Sequence, residues 1–178
     1  CSSDLGDYPE INPVKEKELI KPEIQKILSS DKVLSVAAGA AYGDSKRWSS
    51  ENFNKVCRYW IEEQGGSIVC LGSGKERSIG EKVVESLDPA KAFNACGNSD
   101  MDELVMILKK SSLCIANDSG VMHLAASLGV PGIAVFGSTD PSATAPVSPL
   151  WKVLFKKQEC SPCFKRTCPL GNSKCMSA

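Results

Sequence analysis

Short apolar runs alternate with stretches of helical periodicity from residue 33 onwards, and this alternation restricts the fold more than any other feature. The apolar runs predict strands at residues 33–37, 67–71, 92–95, 113–116 and 133–136. The stretches between them predict helices at residues 50–64, 75–87, 100–110 and 119–128. Strands separated by helices need right-handed crossovers, which give a mostly parallel sheet covered on both faces. We therefore predict a doubly wound α/β fold, in which ligands bind beyond the carboxyl ends of the strands.

The length of the chain, 178 residues, is that of one ordinary domain, which we place at residues 33–158. Residues 1–32 are predicted to form a lead-in with one or two short helices, the second beginning near Pro22. Residues 159–178 form a separate cysteine-rich segment.

Charge and hydropathy exclude two classes of partner. Twenty-one basic residues balance 21 acidic ones, so no overall field attracts the protein to nucleic acid or to an anionic membrane. The longest apolar runs are much shorter than the roughly 20 residues of a membrane-spanning helix, and the N-terminus lacks a signal pattern. We expect a cytoplasmic protein with no transmembrane segment.

The loop at residues 38–48 follows the first predicted strand and has the composition of a phosphate-binding loop. Small residues let backbone amides approach a phosphate closely, and Lys46 supplies a positive charge. The small residues are Gly39, Ala40 and Ala41. The loop is not a P-loop. A P-loop has four residues between its two glycines and a lysine directly after the second, whereas here three residues separate Gly39 from Gly43 and Asp44 follows. The alternative is an ordinary turn in which Lys46 and Arg47 are solvated.

Two further loops allow both structural and ligand-binding interpretations. The glycines at residues 72–74 lack the third glycine of a dinucleotide fingerprint, because Arg77 occupies that place, and a tight turn is favoured. Ser99 and Asp102 have the spacing of a capping box at the start of a helix. A carboxylate at such a helix start can also accept hydrogen bonds from a ribose diol.

The turn at residues 117–120 leaves an apolar strand and enters a predicted helix. The first amides of that helix have no partner within it and are directed towards an incoming anion. They belong to Ser119, Gly120, Val121 and Met122. Asp118, Ser119 and His123 are the residue types of a hydrolase triad. However, Ser119 lacks a G-x-S-x-G setting, and His123 lies four residues later on the same helix face, which is unlike the usual nucleophile elbow. A hydrolase is therefore disfavoured, and a purely structural role for His123 stays open.

Apart from Cys1, the nine cysteines fall into two groups of four. Four lie in predicted helices and strands, where cysteine packs as a small apolar residue; they are Cys57, Cys70, Cys96 and Cys114. Four others, Cys160, Cys163, Cys168 and Cys175, follow a C-x2-C-x4-C-x6-C pattern. Four close thiols are candidate zinc ligands, yet the spacing matches no common zinc ribbon or ferredoxin pattern and cytosolic thiols stay free. We expect no metal; were one bound without nucleotide affinity, a metal-stapled interaction module would be the better interpretation.

Three motifs together resemble one family. They are GAAYGDSKRW at residues 39–48, NDSGVMHLAA at 117–126 and VFGSTDP at 135–141, followed by a proline at 146. Their order and spacing are typical of glycosyltransferase family 9, the lipopolysaccharide heptosyltransferases. The cysteine tail is similar to that of the heptosyltransferase II branch, so the resemblance covers about residues 33–176.

The resemblance implies half of a two-domain GT-B enzyme. In that family an N-terminal half binds the acceptor, and a Rossmann-like C-terminal half, which this chain resembles, binds the donor ADP-heptose. It implies inverting transfer of heptose to the inner core of lipopolysaccharide without a required cofactor. The general base is expected to be an Asp in the N-terminal half, so no catalytic residue is assigned here and the chain alone is expected to be inactive. Peripheral association with the inner membrane is left open.

The same resemblance assigns donor contacts. It implies that Lys46 contacts the diphosphate, that the amides of residues 119–122 bind it, and that Asp118 and His123 organise the sugar-phosphate end. Asp102 stands where many members have a Glu that holds the ribose. The alternative is another GT-B protein, such as a sugar-nucleotide epimerase; the loop at residues 39–48 and the cysteine tail favour the heptosyltransferase.

Overall fold

Six parallel strands form one sheet in the computed structural model, which describes residues 21–177. They are β1 (Val33–Ala37), β2 (Ser67–Cys70), β3 (Ala92–Asn94), β4 (Leu113–Asn117), β5 (Gly132–Phe136) and β6 (Trp151–Phe155). Their order is β3-β2-β1-β4-β5-β6, with every neighbouring pair parallel. The predicted doubly wound α/β fold is confirmed. The order reverses direction between β1 and β4, the switch point at which such sheets bind ligands.

Helices cover both faces of the sheet. They are α1 (Pro22–Leu28), α2 (Ser50–Glu62), α3 (Arg77–Val84), α4 (Met101–Lys110), α5 (Gly120–Ser127) and α6 (Pro141–Thr144). Successive strand residues point to opposite faces, so the sheet contributes to two cores. One core buries side chains of α1, α4 and α5, and the other buries those of α2 and α3, including Phe53 and Val83.

The strands were predicted more accurately than the helix ends. Helix α2 begins at the predicted residue, and its cap is Ser49, whose side chain accepts from the Asn52 amide. At α4 the predicted capping pair of Ser99 and Asp102 was wrong. Asp100 and Glu103 form the capping box instead, because Glu103 points inward and is buried while Asp102 is exposed.

Two elements were not predicted. Strand β6 pairs with β5 at the edge of the sheet, and helix α6 lies in the proline-rich loop, capped by Asp140 with Pro141 following. The helix expected at residues 75–87 is a 3-10 turn (Gly74–Glu76) followed by α3.

The lead-in is only partly described. Helix α1 begins at Pro22 as predicted and buries Ile24 and Ile27 in the main core. Any helix before it lies outside the described residues, and the domain boundaries stay predictions. Within residues 21–177, no helix has the length and apolarity needed to cross a membrane.

The dispersed cysteines are buried, as expected. Cys57, Cys70, Cys96 and Cys114 pack in the two cores. Burial raises the pKa of the Cys57 and Cys114 thiols to about 12. These thiols therefore behave as small apolar side chains near neutral pH.

Candidate donor-binding site

Asn117, the last residue of β4, fixes the loop that leaves β1. Its side-chain amide donates to the Ala38 carbonyl oxygen at 2.7 Å, and its side-chain oxygen accepts from the Trp48 amide at 3.0 Å. The Trp48 ring packs edge-on against Phe53, with 5.0 Å between ring centroids. The loop at residues 38–48 is therefore tied at both ends to the switch point.

Lys46 forms an ion pair with Asp118 beside the start of α5. Its Nζ lies 2.6 Å from Asp118 Oδ2, and the two side chains are 13% and 6% exposed. The alternative in which Lys46 is solvated is therefore wrong. The same oxygen accepts from Thr139 Oγ1 at 2.7 Å and from Thr144 Oγ1 at 3.3 Å. Asp118 thus balances the lysine charge and fixes its position next to Ser119.

The first turn of α5 presents free backbone amides to an open cleft. Ser119 caps the helix with extended backbone, and its Oγ is buried without a hydrogen-bond partner among the described residues. Gly120 is exposed, and a Cβ added there would meet nothing within 4 Å. The positive end of the α5 dipole, its first-turn amides and the neighbouring Lys46 are groups that attract an anion.

The cleft has a volume of about 290 Å³ and lies beyond the carboxyl ends of the central strands. Its lining combines small, polar and apolar residues, among them Gly39, Ala41, Gly72, Ser73, Glu76, Ser99, Asp100, Leu71, Met101, Leu104, Ser119, Gly120 and Val121. A Cβ on Gly39 would overlap the Glu76 carboxylate, so a larger residue at this position would require the Glu76 side chain to move. The Ser73 amide and hydroxyl both donate to Glu76 Oε2 at 2.8 Å, as a turn at this position requires, and Gly72 and Ser73 also line the cleft, so both interpretations of this loop stay open.

The structure brings some of the predicted contacts together, but not all. Gly39, Ala41 and residues 119–121 line the cleft, and Ala40 is buried beside it. The other predicted residues do not line it. Lys46 and Asp118 form their ion pair outside the lining, the Met122 side chain is buried in the core, and His123 and Asp102 are exposed on their helices.

Several polar groups of the site were not assigned from the sequence. Ser73, Glu76 and Asp100 line the cleft, and Thr139 and Thr144 bind Asp118. The motif at residues 135–141 contains Thr139 and was the available signal, but it indicated no role for that hydroxyl.

The four clustered cysteines line a second cavity, of about 420 Å³. Within residues 21–177, no three His, Cys, Asp or Glu side chains are placed to hold a metal, and the eight cysteines there are free thiols. Backbone amides of Ser173 and Leu170 lower the pKa of Cys168, whereas burial raises the pKa of Cys175. The expectation that this cluster holds no metal stays an untested prediction.

Comparison with known proteins identifies the family. The family model of glycosyltransferase family 9 (heptosyltransferase) matches residues 7–174. The chain belongs to glycosyltransferase family 9. It is 31% identical over 149 residues to the lipooligosaccharide heptosyltransferase 2 of Haemophilus influenzae, covering 81% of this chain and 43% of the relative. The Campylobacter jejuni lipooligosaccharide heptosyltransferase 2 is 33% identical over 153 residues, covering 82% and 46% respectively.

A solved structure of the family has the same fold. The chain superposes on the E. coli ADP-heptose lipopolysaccharide heptosyltransferase II with a TM-score of 0.70 and 25% identity, covering 79% of this chain and 45% of that one. The chain thus spans less than half the length of these family 9 relatives. The cleft at the switch point belongs to a glycosyltransferase family 9 domain.

Proposed function

We propose that the cleft binds the diphosphate of ADP-heptose and that the chain is the donor-binding part of an inverting heptosyltransferase acting on the lipopolysaccharide inner core. The observation that carries this proposal is the position of Lys46, which Asp118 fixes beside the unpaired amides of α5. A diphosphate at that point would meet a cation, a helix N-terminus and a glycine with open space before it.

The chemical contribution of these groups is leaving-group stabilisation. When an acceptor hydroxyl attacks the anomeric carbon, the bond to the diphosphate breaks and its electrons leave with ADP. Lys46 and the α5 amides meet the negative charge that grows on the diphosphate, an effect commonly worth about 3–4 kcal/mol per donor. We assign no general base to this chain and propose that an Asp in an N-terminal half removes the hydroxyl proton.

The rest of the cleft suits a nucleoside. Leu71, Met101 and Leu104 supply apolar surface for a base, and the polar start of α4 lies at the same end. We keep Asp102 as a candidate for the ribose, with Asp100 as the carboxylate that lines the cleft. We also propose that the His123 side chain and the Met122 backbone amide contact the sugar-phosphate end of the donor.

We also propose where the acceptor binds, what cofactors the reaction needs and where it takes place. We infer that the acceptor is bound by an N-terminal domain, that transfer needs no metal or organic cofactor, and that the enzyme acts in the cytoplasm. The family match supports the donor and acceptor classes.

Nucleotide selectivity tests the proposal. In thermal-shift titrations at equal concentrations, ADP should raise the melting temperature more than UDP, whose preference would favour an epimerase-like protein instead. The 178-residue chain should bind ADP weakly and transfer no heptose. Transfer by this chain alone, or tight binding of ADP-heptose to it, would contradict the division of roles.

A further inference from the structure

The cysteine-rich segment has no part in the proposed function, yet it contacts the loop that carries Lys46. We name residues 160–176 the C-terminal brace. The Ser45 amide donates to the Arg166 carbonyl oxygen at 3.1 Å, and the Ser45 hydroxyl donates to the Lys165 carbonyl oxygen. The Tyr42 hydroxyl donates to the Phe164 carbonyl oxygen at 2.9 Å. Three consecutive carbonyls of the brace therefore bind the loop that carries Lys46.

The brace also contacts the loop that follows β5. The Phe164 amide donates to the Ser138 carbonyl oxygen at 2.9 Å, and Ser138 directly precedes Thr139. Thr139 is one of the two hydroxyls that bind Asp118. One segment thus contacts the loops that supply Lys46 and a ligand of its partner carboxylate.

Glycines permit both contacts. A Cβ added at Gly43 would overlap the backbone of Arg166, and one added at Gly137 would overlap the side chain of Met176. Backbone cannot move aside as the end of a flexible side chain can. A larger residue at Gly43 would therefore push the loop away from the brace. The two loops therefore approach the brace more closely than larger residues would allow.

Tyr42 links the brace to the Lys46 ammonium. Lys46 Nζ lies 5.0 Å from the centroid of the Tyr42 ring, and Arg166 Cζ lies 5.3 Å from it, both within cation–π range. The Tyr42 hydroxyl is bound by the brace, so the ring that touches Lys46 is itself held. The ammonium consequently has two fixed neighbours, the Asp118 carboxylate and the Tyr42 ring.

We propose that the C-terminal brace is a positioning element for the donor phosphate, acting through Tyr42 and the 3-10 turn Asp44–Lys46 to hold the Lys46 ammonium beside α5. A flexible lysine loses rotamer freedom when it binds a phosphate, and a preorganised one has lost it beforehand. Tyr42 is a positioning residue in this scheme and Lys46 is the group that meets the ligand. The inference rests on the proposed function, because it requires Lys46 to contact the diphosphate.

The test compares ADP with adenosine, because only ADP carries the phosphates. Dissociation constants are measured by NMR titration, which follows weak binding, for the 178-residue chain and its variants. Gly43→Ala and Tyr42→Leu should weaken ADP binding about 3- to 10-fold and leave adenosine binding unchanged. Tyr42→Phe, which keeps the ring but loses the hydrogen bond to the brace, should give a smaller loss.

A matched control and a double variant separate the possible outcomes. Tyr59→Leu, at an exposed tyrosine of α2, should change neither affinity. If the brace acts through Lys46, Gly43→Ala should cause no further loss of ADP affinity in a Lys46→Ala background. An equal loss in both backgrounds would overturn the inference.

The inference and the proposed function fail in different ways. If Lys46→Ala leaves ADP affinity unchanged, the proposed diphosphate site is wrong. If Lys46→Ala weakens ADP binding but neither Gly43→Ala nor Tyr42→Leu does, the site stands and the brace has no positioning role. Tyr42→Phe keeps the result interpretable if the larger changes unfold the chain, because this tyrosine is exposed and the change removes one hydroxyl.

Discussion

Replacing Asp118 should destabilise the fold more than replacing Lys46, although the two residues form one ion pair. Asp118→Ala leaves the Lys46 ammonium, only 13% exposed, without a counter-ion. It also removes the acceptor of the Thr139 and Thr144 hydroxyls. Lys46→Met, in contrast, leaves the carboxylate with both hydroxyl donors and keeps an unbranched apolar chain in the same space.

The expected magnitudes follow from this asymmetry. Removing one partner of a buried ion pair costs about 3–5 kcal/mol, and the residual exposure of Lys46 places Asp118→Ala near about 3 kcal/mol. Lys46→Met leaves the Asp118 carboxylate, 6% exposed, without its counter-ion but with two hydroxyl donors, for which we expect about 2 kcal/mol. For a chain of this size each kcal/mol shifts the melting temperature by about 2–4 °C, so the expected losses are about 6–12 °C and about 4–8 °C.

Urea unfolding followed by tryptophan fluorescence measures these free energies, because the chain has three tryptophans. Arg58→Met, which breaks an exposed pair with Glu62 on α2, is the matched control and should change the free energy of unfolding by less than about 1 kcal/mol. The double variant of Lys46→Met and Asp118→Ala should be more stable than Asp118→Ala alone, since the unpaired charge is gone. Equal destabilisation by the two single variants would refute the reasoning.

Three further predictions concern the cleft, the thiols and the core. Gly39→Ala should weaken ADP binding at least about 10-fold in an NMR titration, because its Cβ displaces the Glu76 side chain that lines the cleft; unchanged affinity would show that ADP binding does not depend on the position of Glu76. The alkylation rate of Cys168, followed by mass spectrometry against pH, should reach half its maximum at a lower pH than that of Cys175, since amides lower the pKa of the first thiol and burial raises that of the second; the reverse order would contradict this. Phe53→Ala should cost about 3–5 kcal/mol in urea unfolding, because Phe53 is fully buried; a loss below 1 kcal/mol would mean that the core at α2 is not packed as described.

The sequence predicted the features that depend on local periodicity. The first five strands, the alternation with helices and the burial of four cysteines all follow from patterns that a few neighbouring residues set. The sequence also predicted that ligands bind beyond the carboxyl ends of the strands, where the cleft lies, whereas the strand order that places it between β1 and β4 came from the structure.

Features that depend on tertiary contacts were missed. The spacing of a capping box fits Ser99 with Asp102 as well as Asp100 with Glu103, and the burial of Glu103 decides between them. Strand β6 is a five-residue edge strand whose alternate residues are exposed, and its pairing with β5 defines it.

The polar arrangement of the site could not be predicted for a related reason. Thr139 binds a carboxylate 21 residues earlier in the chain, and the brace binds a loop about 120 residues away. No spacing rule covers such distances, because they depend on where the loops after β1 and β5 meet. The sequence motifs indicated which segments matter and left their mutual contacts open.

The most direct test of the proposed donor site is a two-dimensional NMR titration of the 15N-labelled chain with ADP and, separately, with adenosine. Our account predicts that ADP shifts the amide signals of Gly120 and Val121 and the side-chain signal of Lys46, while adenosine leaves these three in place and perturbs residues around Leu71 and Leu104. If ADP and adenosine perturb the same signals, or if ADP leaves the α5 amides unmoved, the diphosphate does not bind at this helix and the central claim is contradicted.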